Sequence, residues 1–159
     1  MVSEHPGIDL HAALKACYFA DKDHINEYQR PIFGATYRAM KFGPVPLEIY
    51  EMIKGEALWL AELGVERLPW QVVGYRLTRT DNTGLVDKRA LSESEQEIFA
   101  NALERSIKMD FGARTAATHG SDWQNAELGI MRYEDMILDT PDKPDIVEYL
   151  KENARFMKL

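Results

Sequence analysis

The chain has 159 residues, of which 45% are hydrophobic and 28% are charged; these values predict one globular domain over residues 1–159 and exclude a fibrous repeat or a disordered tail. Its longest run without an acidic or basic residue is too short for a membrane-spanning helix, and its first residues do not form a secretory signal. Its one cysteine excludes an internal disulfide framework. We therefore expect a cytoplasmic protein. The formal net charge of −7 argues against nucleic acid as a partner, because binding to phosphates requires a basic surface.

The first predicted element is a helix over residues 10–28. Asp9 is a favourable N-cap residue, and apolar side chains follow it at helical spacing. We expect the helix to end at residues 29–31, because the residue before Pro31 is disfavoured in the helical conformation. Two polar residues, Asp21 and His24, interrupt the apolar stripe of this helix at its middle.

Residues 33–42 are predicted to form a short strand or an irregular segment. The sequence Gly43-Pro44-Val45-Pro46 that follows must be extended, because each proline fixes its own φ and steers the preceding residue towards β geometry. A helix with Pro46 in its first turn is expected to run to Lys54 and to stop at Gly55. A second short helix is predicted over residues 56–63.

A β-hairpin is predicted in the middle of the chain. Residues 70–80 alternate as one strand, with Val73, Tyr75 and Leu77 on the same face. The sequence DNTG at residues 81–84 favours a turn, and residues 85–89 are expected to return as the second strand.

The rest of the chain is predicted to be helical. Ser92 and Glu95 form a capping-box pattern that starts a helix. Two short helices are expected near residues 113–119 and 133–138, and a last one over residues 145–158. The predicted fold is therefore mostly α within the α+β class, a helical domain with a small antiparallel β-hairpin or sheet.

Catalytic motifs are absent from the sequence. It contains no glycine-rich phosphate loop, no G-x-S-x-G elbow and no zinc-protease or Cys-x-x-Cys motif. The remaining candidates are Asp21 and His24, which share one helical face, and His119 with Asp122. With four histidines in the chain such pairings arise easily by chance, and sites for hard metals usually gather more carboxylates locally. We therefore predict no catalytic residue, no metal and no cofactor.

Asp21 is instead expected to be structural. A carboxylate on an apolar stripe is costly to bury unless backbone N–H groups or a cation satisfy it. Arg30, Lys41 and the Tyr37 hydroxyl follow closely in the chain and are candidate partners. We predict that Asp21, with His24 and Arg30, braces the first helix against the segment that carries the two prolines; the alternative is that Asp21 faces water.

The Gly-Pro-Val-Pro segment has two interpretations. It is either a stiff entry to the following helix or a rigid recognition surface that loses little entropy on binding. Tyr37, Phe42 and Tyr50 lie near it and supply aromatic area of the kind enriched at protein interfaces.

These residues also carry a family resemblance. The chain resembles the Panacea domain of SocA-like antitoxins, most specifically between residues 18 and 55. The resemblance includes the sequences YFAD (18–21), His24, YQRPI (28–32), Gly34, YRAMKFGPVP (37–46), Tyr50 and Lys54-Gly55, and it extends more loosely to Leu91-Ser92, Ser121-Asp122-Trp123 and residues 133–137.

The resemblance implies an antitoxin of a type II toxin–antitoxin system, a cytoplasmic protein associated with phage defence. Such a protein binds and neutralises a cognate protein toxin from a neighbouring gene, by direct blocking or by delivery to a cellular protease, and is not an enzyme. As a hypothesis, the toxin contacts the segment around the two prolines while Asp21 positions it from behind. The contact residues are then Tyr37, Lys41, Phe42, Gly43, Pro44, Val45, Pro46 and Tyr50.

Two other functions stay open at this point. One is a metal-dependent or hydrolytic enzyme that uses Asp21, His24 and His119. The other is a small DNA-binding regulator, although the best-defined helices carry mixed or acidic faces.

Overall fold

Helix α1 (Leu10–Tyr28) lies at the centre of the protein in the computed structural model, which describes residues 1–80 and 88–153. Its bounds are those predicted, and the Asp9 side chain caps it by accepting a hydrogen bond from the Ala12 N–H at 3.1 Å. Twelve of its 19 residues are buried. The helix is therefore covered on more than the one stripe that its apolar periodicity indicated, as expected of a helix enclosed by other elements.

The described residues form eight α-helices and five short strands, which confirms the predicted α+β class. In chain order the elements are β1 (Ile8–Asp9), α1, β2 (Tyr37–Met40), β3 (Gly43–Pro46), α2 (Leu47–Lys54), α3 (Ala57–Glu62), β4 (Trp70–Val73), β5 (Arg76–Arg79), α4 (Glu93–Lys108), α5 (Phe111–Ala117), α6 (Ser121–Asn125), α7 (Tyr133–Met136) and α8 (Lys143–Asn153).

The first small sheet corrects the predicted hairpin. Residues 70–80 do not form one strand, because the chain reverses at Gly74 and Tyr75 and pairs β4 with β5, and β1 adds to the other edge of β5. Gly74 has a φ of +62°, which glycine adopts without strain. As a result Leu77 is buried, whereas Val73 and Tyr75 are exposed.

The return strand was also misplaced. Of residues 85–89, Lys88 and Arg89 belong to a 3₁₀ turn, Lys88–Ala90, and the other three lie outside the described residues, as does the predicted turn at residues 81–84.

Strands β2 and β3 form an antiparallel hairpin that pairs Tyr37 with Pro46 and Met40 with Gly43. The extended conformation predicted for the proline segment is confirmed, and Lys41 and Phe42 form the turn. The free edge of β2 is covered by a later segment, since the Ala39 N–H donates to the Gly129 carbonyl at 2.9 Å and the Met131 N–H donates to the Tyr37 carbonyl at 2.8 Å.

The helices around this frame largely match the prediction. Pro46 is the N-cap of α2 rather than part of its first turn, and Gly55 ends that helix with a φ of +73°. Ser92 and Glu95 form the predicted capping box of α4, which packs along α1 and is tied to it by the Ser106 hydroxyl, a donor to the Ala12 carbonyl at 2.7 Å.

The C-terminal elements are short. Helices α5 and α7 occur near their predicted positions, α6 was not predicted, and α8 begins two residues before its predicted start, with residues 154–158 of the prediction outside the described part. None of the helices described here is long and apolar enough to cross a membrane.

Candidate functional site

Asp21 is fully buried in α1 and accepts four hydrogen bonds. Its Oδ1 accepts from the Ile32 N–H at 2.8 Å and the Phe33 N–H at 2.7 Å, and its Oδ2 accepts from the Tyr37 hydroxyl at 3.0 Å and the Tyr133 hydroxyl at 3.2 Å. Burial raises the pKa of Asp21, and these hydrogen bonds oppose the rise. One carboxylate thus links α1 to the loop that follows it, to β2 and to α7.

The expected partners of Asp21 are corrected in part. Tyr37 is one of them, but the two cations are not: Arg30 pairs with Glu95 at 2.7 Å, and the Lys41 ammonium lies over the Phe42 ring. His24 Nδ1 lies 2.6 Å from the Arg30 carbonyl, so His24 and Arg30 contact each other through the backbone beside the Asp21 network. Backbone N–H groups satisfy the buried carboxylate in place of the cations.

The sequence reasoning missed Tyr133. Its hydroxyl also lies 2.8 Å from the Ala35 carbonyl, so its one proton is shared between that oxygen and Asp21 Oδ2, and burial raises the pKa of Tyr133. Tyr133 is 112 residues from Asp21 in the chain. No local pattern signals such a contact.

The structure does not assemble the metal site considered above. Among the described residues no three His, Cys, Asp or Glu side chains come close enough to hold a metal ion. Asp122 accepts from the Tyr18 hydroxyl at 2.5 Å and from Lys22 at 2.9 Å, and the His119 ring stacks on Trp123 with the ring centroids 3.8 Å apart. Asp21 and Asp122 are thus both engaged in hydrogen bonds within the protein, with Asp122 Oδ1 left without a partner among the described residues.

A buried lysine of α1 holds the proline hairpin from behind. Lys15 is 1% exposed, and its Nζ donates to the Pro44 carbonyl at 2.5 Å. Desolvation, with a smaller effect of the Arg114 charge, lowers the pKa of Lys15 to about 7. Gly43 lies against the same ammonium group and has a φ of +93°.

We expect the stability of the protein to rise with pH between about 7 and 8.5. The unfolded chain keeps Lys15 protonated up to its ordinary pKa of 10.5, whereas the folded protein releases this proton near pH 7. The unfolded state therefore binds more protons in this window, and the free energy of unfolding rises by about 1–2 kcal/mol across it. Chemical denaturation at several pH values measures the slope.

The Lys15→Met variant is the control for this slope. Burial lowers the pKa of His11 and of His119 below 6.5, so in the folded protein both side chains titrate below the pH range of this prediction. Lys15→Met should flatten the profile whatever its overall stability. Equal slopes for the variant and the wild type would contradict the assignment to Lys15.

The hairpin presents only one of its faces to solvent, which divides the predicted contact residues into a buried and a solvent-facing group. Tyr37, Gly43, Pro44 and Pro46 are buried against α1 and its neighbours. The Lys15 and Asp21 contacts place these four residues behind the surface, so the contact proposed below uses the solvent-facing residues.

The solvent-facing side of the hairpin carries the other predicted residues and two that were missed. Lys41 and Phe42 are exposed and Val45 and Tyr50 are half-buried, but Arg38 and Met40 are exposed as well. Side chains alternate between the two faces of β2, so the inward direction of Tyr37 and Ala39 places Arg38 and Met40 on the solvent side. This alternation is a signal that the sequence contains.

Four of these side chains, those of Arg38, Met40, Val45 and Tyr50, border a shallow groove of about 640 Å³ between the hairpin and helices α2 and α3. The hairpin surface is defined here by Arg38, Met40, Lys41, Phe42, Val45 and Tyr50, together with Leu58 of α3 and Phe111 of α5. Met40 is 46%, Phe42 48%, Phe111 50% and Leu58 73% exposed, which is high for large apolar side chains.

The turn of the hairpin is fixed by aromatic packing. The Phe42 ring meets the Phe111 ring edge-on with centroids 5.2 Å apart, and the His11 ring lies 4.4 Å from Phe111. His11 Nε2 is also 3.1 Å from the Phe42 carbonyl. The exposed rings are therefore held in place, and a surface of ordered apolar and cationic side chains is suited to contact with another macromolecule.

One comparison with known proteins gives a match. A family model described as "Antitoxin SocA-like, Panacea domain" matches residues 14–124, which include Lys15, Asp21 and the whole hairpin surface. No curated protein and no solved structure matches the chain.

Proposed function

The chain belongs to the SocA-like antitoxin family of the Panacea domain, and from this we propose that it is the antitoxin of a type II toxin–antitoxin system that binds and neutralises a protein toxin encoded by a neighbouring gene. The family match covers more than two thirds of the chain and carries this proposal. The cognate toxin is the partner, the proposed activity is binding rather than catalysis, and the protein acts in the cytoplasm.

The hairpin surface is the proposed toxin contact. Its exposed Met40 and Phe42 offer apolar area that a partner can cover, and apolar and aromatic side chains at the centre of an interface supply most of its binding free energy. Val45 and Tyr50 border the same groove.

Rigidity supports this choice of surface. The hairpin is tied to α1 through Lys15 and Pro44, and to the Asp21 network through Tyr37. A surface that is ordered before binding loses little conformational entropy on binding, so more of the contact energy appears as affinity. Direct blocking and delivery to a protease both start from this same bound state.

Co-expression tests the proposal. We expect one reading frame adjacent to this gene to arrest growth when expressed alone and to be harmless when expressed with the chain. The double variant Met40→Asp/Phe42→Asp should lose this protection, because two carboxylates replace the apolar contact and weaken binding by about 2 kcal/mol or more, which is about 30-fold.

Leu138→Asp is the matched control. Leu138 is 58% exposed, similar to the two target residues, and lines a different cavity with Lys22 and Asn26. It should protect like the wild type. Full protection by the double variant would exclude the hairpin surface, and the lack of a toxic neighbour that the chain neutralises would contradict the antitoxin function.

A further inference from the structure

The hairpin surface carries two cations without an acidic partner. Arg38 projects from β2 and Lys41 lies in the turn, and neither forms an ion pair with any residue that the structure describes. The Lys41 ammonium lies 5.4 Å from the centroid of the Phe42 ring, which attracts it but does not neutralise its charge.

The other charges at this groove are already paired or bonded. Lys54 pairs with Glu56 at 3.1 Å, and Glu51 accepts a hydrogen bond from the Trp59 indole at 3.2 Å. The hairpin surface and the groove together hold three cations, Arg38, Lys41 and Lys54, against two carboxylates, Glu51 and Glu56, so the local surplus is one positive charge, although the whole chain has a net charge of −7. Arg38 and Lys41 thus place unpaired positive charge beside the exposed Met40 and Phe42, on a protein whose net charge is negative.

We infer that the toxin surface that docks here is an apolar patch flanked by carboxylates, which pair with Arg38 and Lys41. This inference rests on the proposed function and adds the chemistry of the partner. When a partner covers Met40, it also removes water from Arg38 two residues along the same face, about 7 Å away. A desolvated cation needs an opposite charge, and a carboxylate matches the two parallel donors of a guanidinium group.

The test uses the toxic neighbouring gene product from the co-expression experiment, purified, with its affinity measured at about 50 and 300 mM NaCl. We expect wild-type binding to weaken at the higher salt concentration, because salt screens exposed ion pairs. Arg38→Glu and Lys41→Glu should each lower the affinity at least about tenfold at low salt and reduce the salt dependence. Arg38→Lys should lose less affinity than Arg38→Glu, because it keeps the charge but not the two parallel donors.

Lys108→Glu is the control, because it changes the net charge by the same amount at an exposed position on α4. It should alter the affinity less than about threefold. Wild-type affinity in both hairpin variants, or tighter binding by Arg38→Glu, would overturn the inference and leave the proposed function intact.

Two further outcomes are distinguishable from these. If the wild-type chain binds a labelled DNA or RNA duplex at low salt and Arg38→Glu abolishes this binding, the two cations bind phosphate groups and the inference is wrong. If the wild-type chain does not bind the toxic gene product at all, the proposed function fails, and the inference fails with it.

Discussion

We expect Asp21→Ala to lower the free energy of unfolding by about 3–5 kcal/mol. The substitution removes the acceptor of three buried donors, namely the N–H groups of Ile32 and Phe33 and the hydroxyl of Tyr37, and leaves the Tyr133 hydroxyl with the Ala35 carbonyl alone. Each donor left without a partner costs about 1–3 kcal/mol, partly relieved by rearrangement. Urea denaturation followed by circular dichroism measures the change.

Two variants test whether this effect belongs to the buried network. Asp23→Ala removes a carboxylate two residues further along the same helix. Asp23 pairs with Arg105 at a partly exposed position, so its loss should cost less than about 1 kcal/mol. Asp21→Asn keeps one acceptor oxygen and should fall between the wild type and Asp21→Ala. If Asp21→Ala is as stable as Asp23→Ala, the brace assigned to Asp21 is wrong.

Gly43→Ala is expected to lower stability by about 3 kcal/mol. At a φ of +93° an alanine is strained, and its Cβ would collide with Thr118 Oγ1 and come within 3.1 Å of Lys15 Cε and Nζ. The hydrogen bond from Lys15 to Pro44 must then shift, and the turn of the hairpin shifts with it. Thermal and urea denaturation measure the loss.

Gly64→Ala separates the two causes. Gly64 also has a positive φ, of +64°, but nothing lies within 4 Å of a Cβ built there, so this variant should show only the conformational cost of about 1 kcal/mol. Losses of equal size in the two variants would mean that the close approach of Thr118 and Lys15 to Gly43 contributes nothing.

The parts of the fold that were predicted correctly depend on local signals. The cap at Asp9, the proline after α1 and the capping box of Ser92 and Glu95 each act within a few residues. The pairing of β4 with β5 was missed because the apolar alternation of residues 70–79 continues through the turn at Gly74. Only the additional pairing of β5 with β1 decides which of the two strands is buried.

The candidate site was less accessible to sequence reasoning for the same reason. A carboxylate in an apolar stripe signals a buried polar contact, and Tyr37 lies near enough in the chain to be a candidate partner. Tyr133 lies 112 residues from Asp21 and could not be identified as a partner. Nothing in the sequence marks Lys15 as buried. Arg38 and Met40 were missed although their alternation with Tyr37 and Ala39 in β2 places them on the solvent-facing side.

The most direct measurement of the central claim is a calorimetric titration of the purified chain with the purified product of the toxic neighbouring gene. We predict saturable binding by the wild type, a loss of at least about 30-fold in affinity for Met40→Asp/Phe42→Asp, and a change below about twofold for Leu138→Asp. The same affinity in all three proteins would contradict a toxin contact at the hairpin surface.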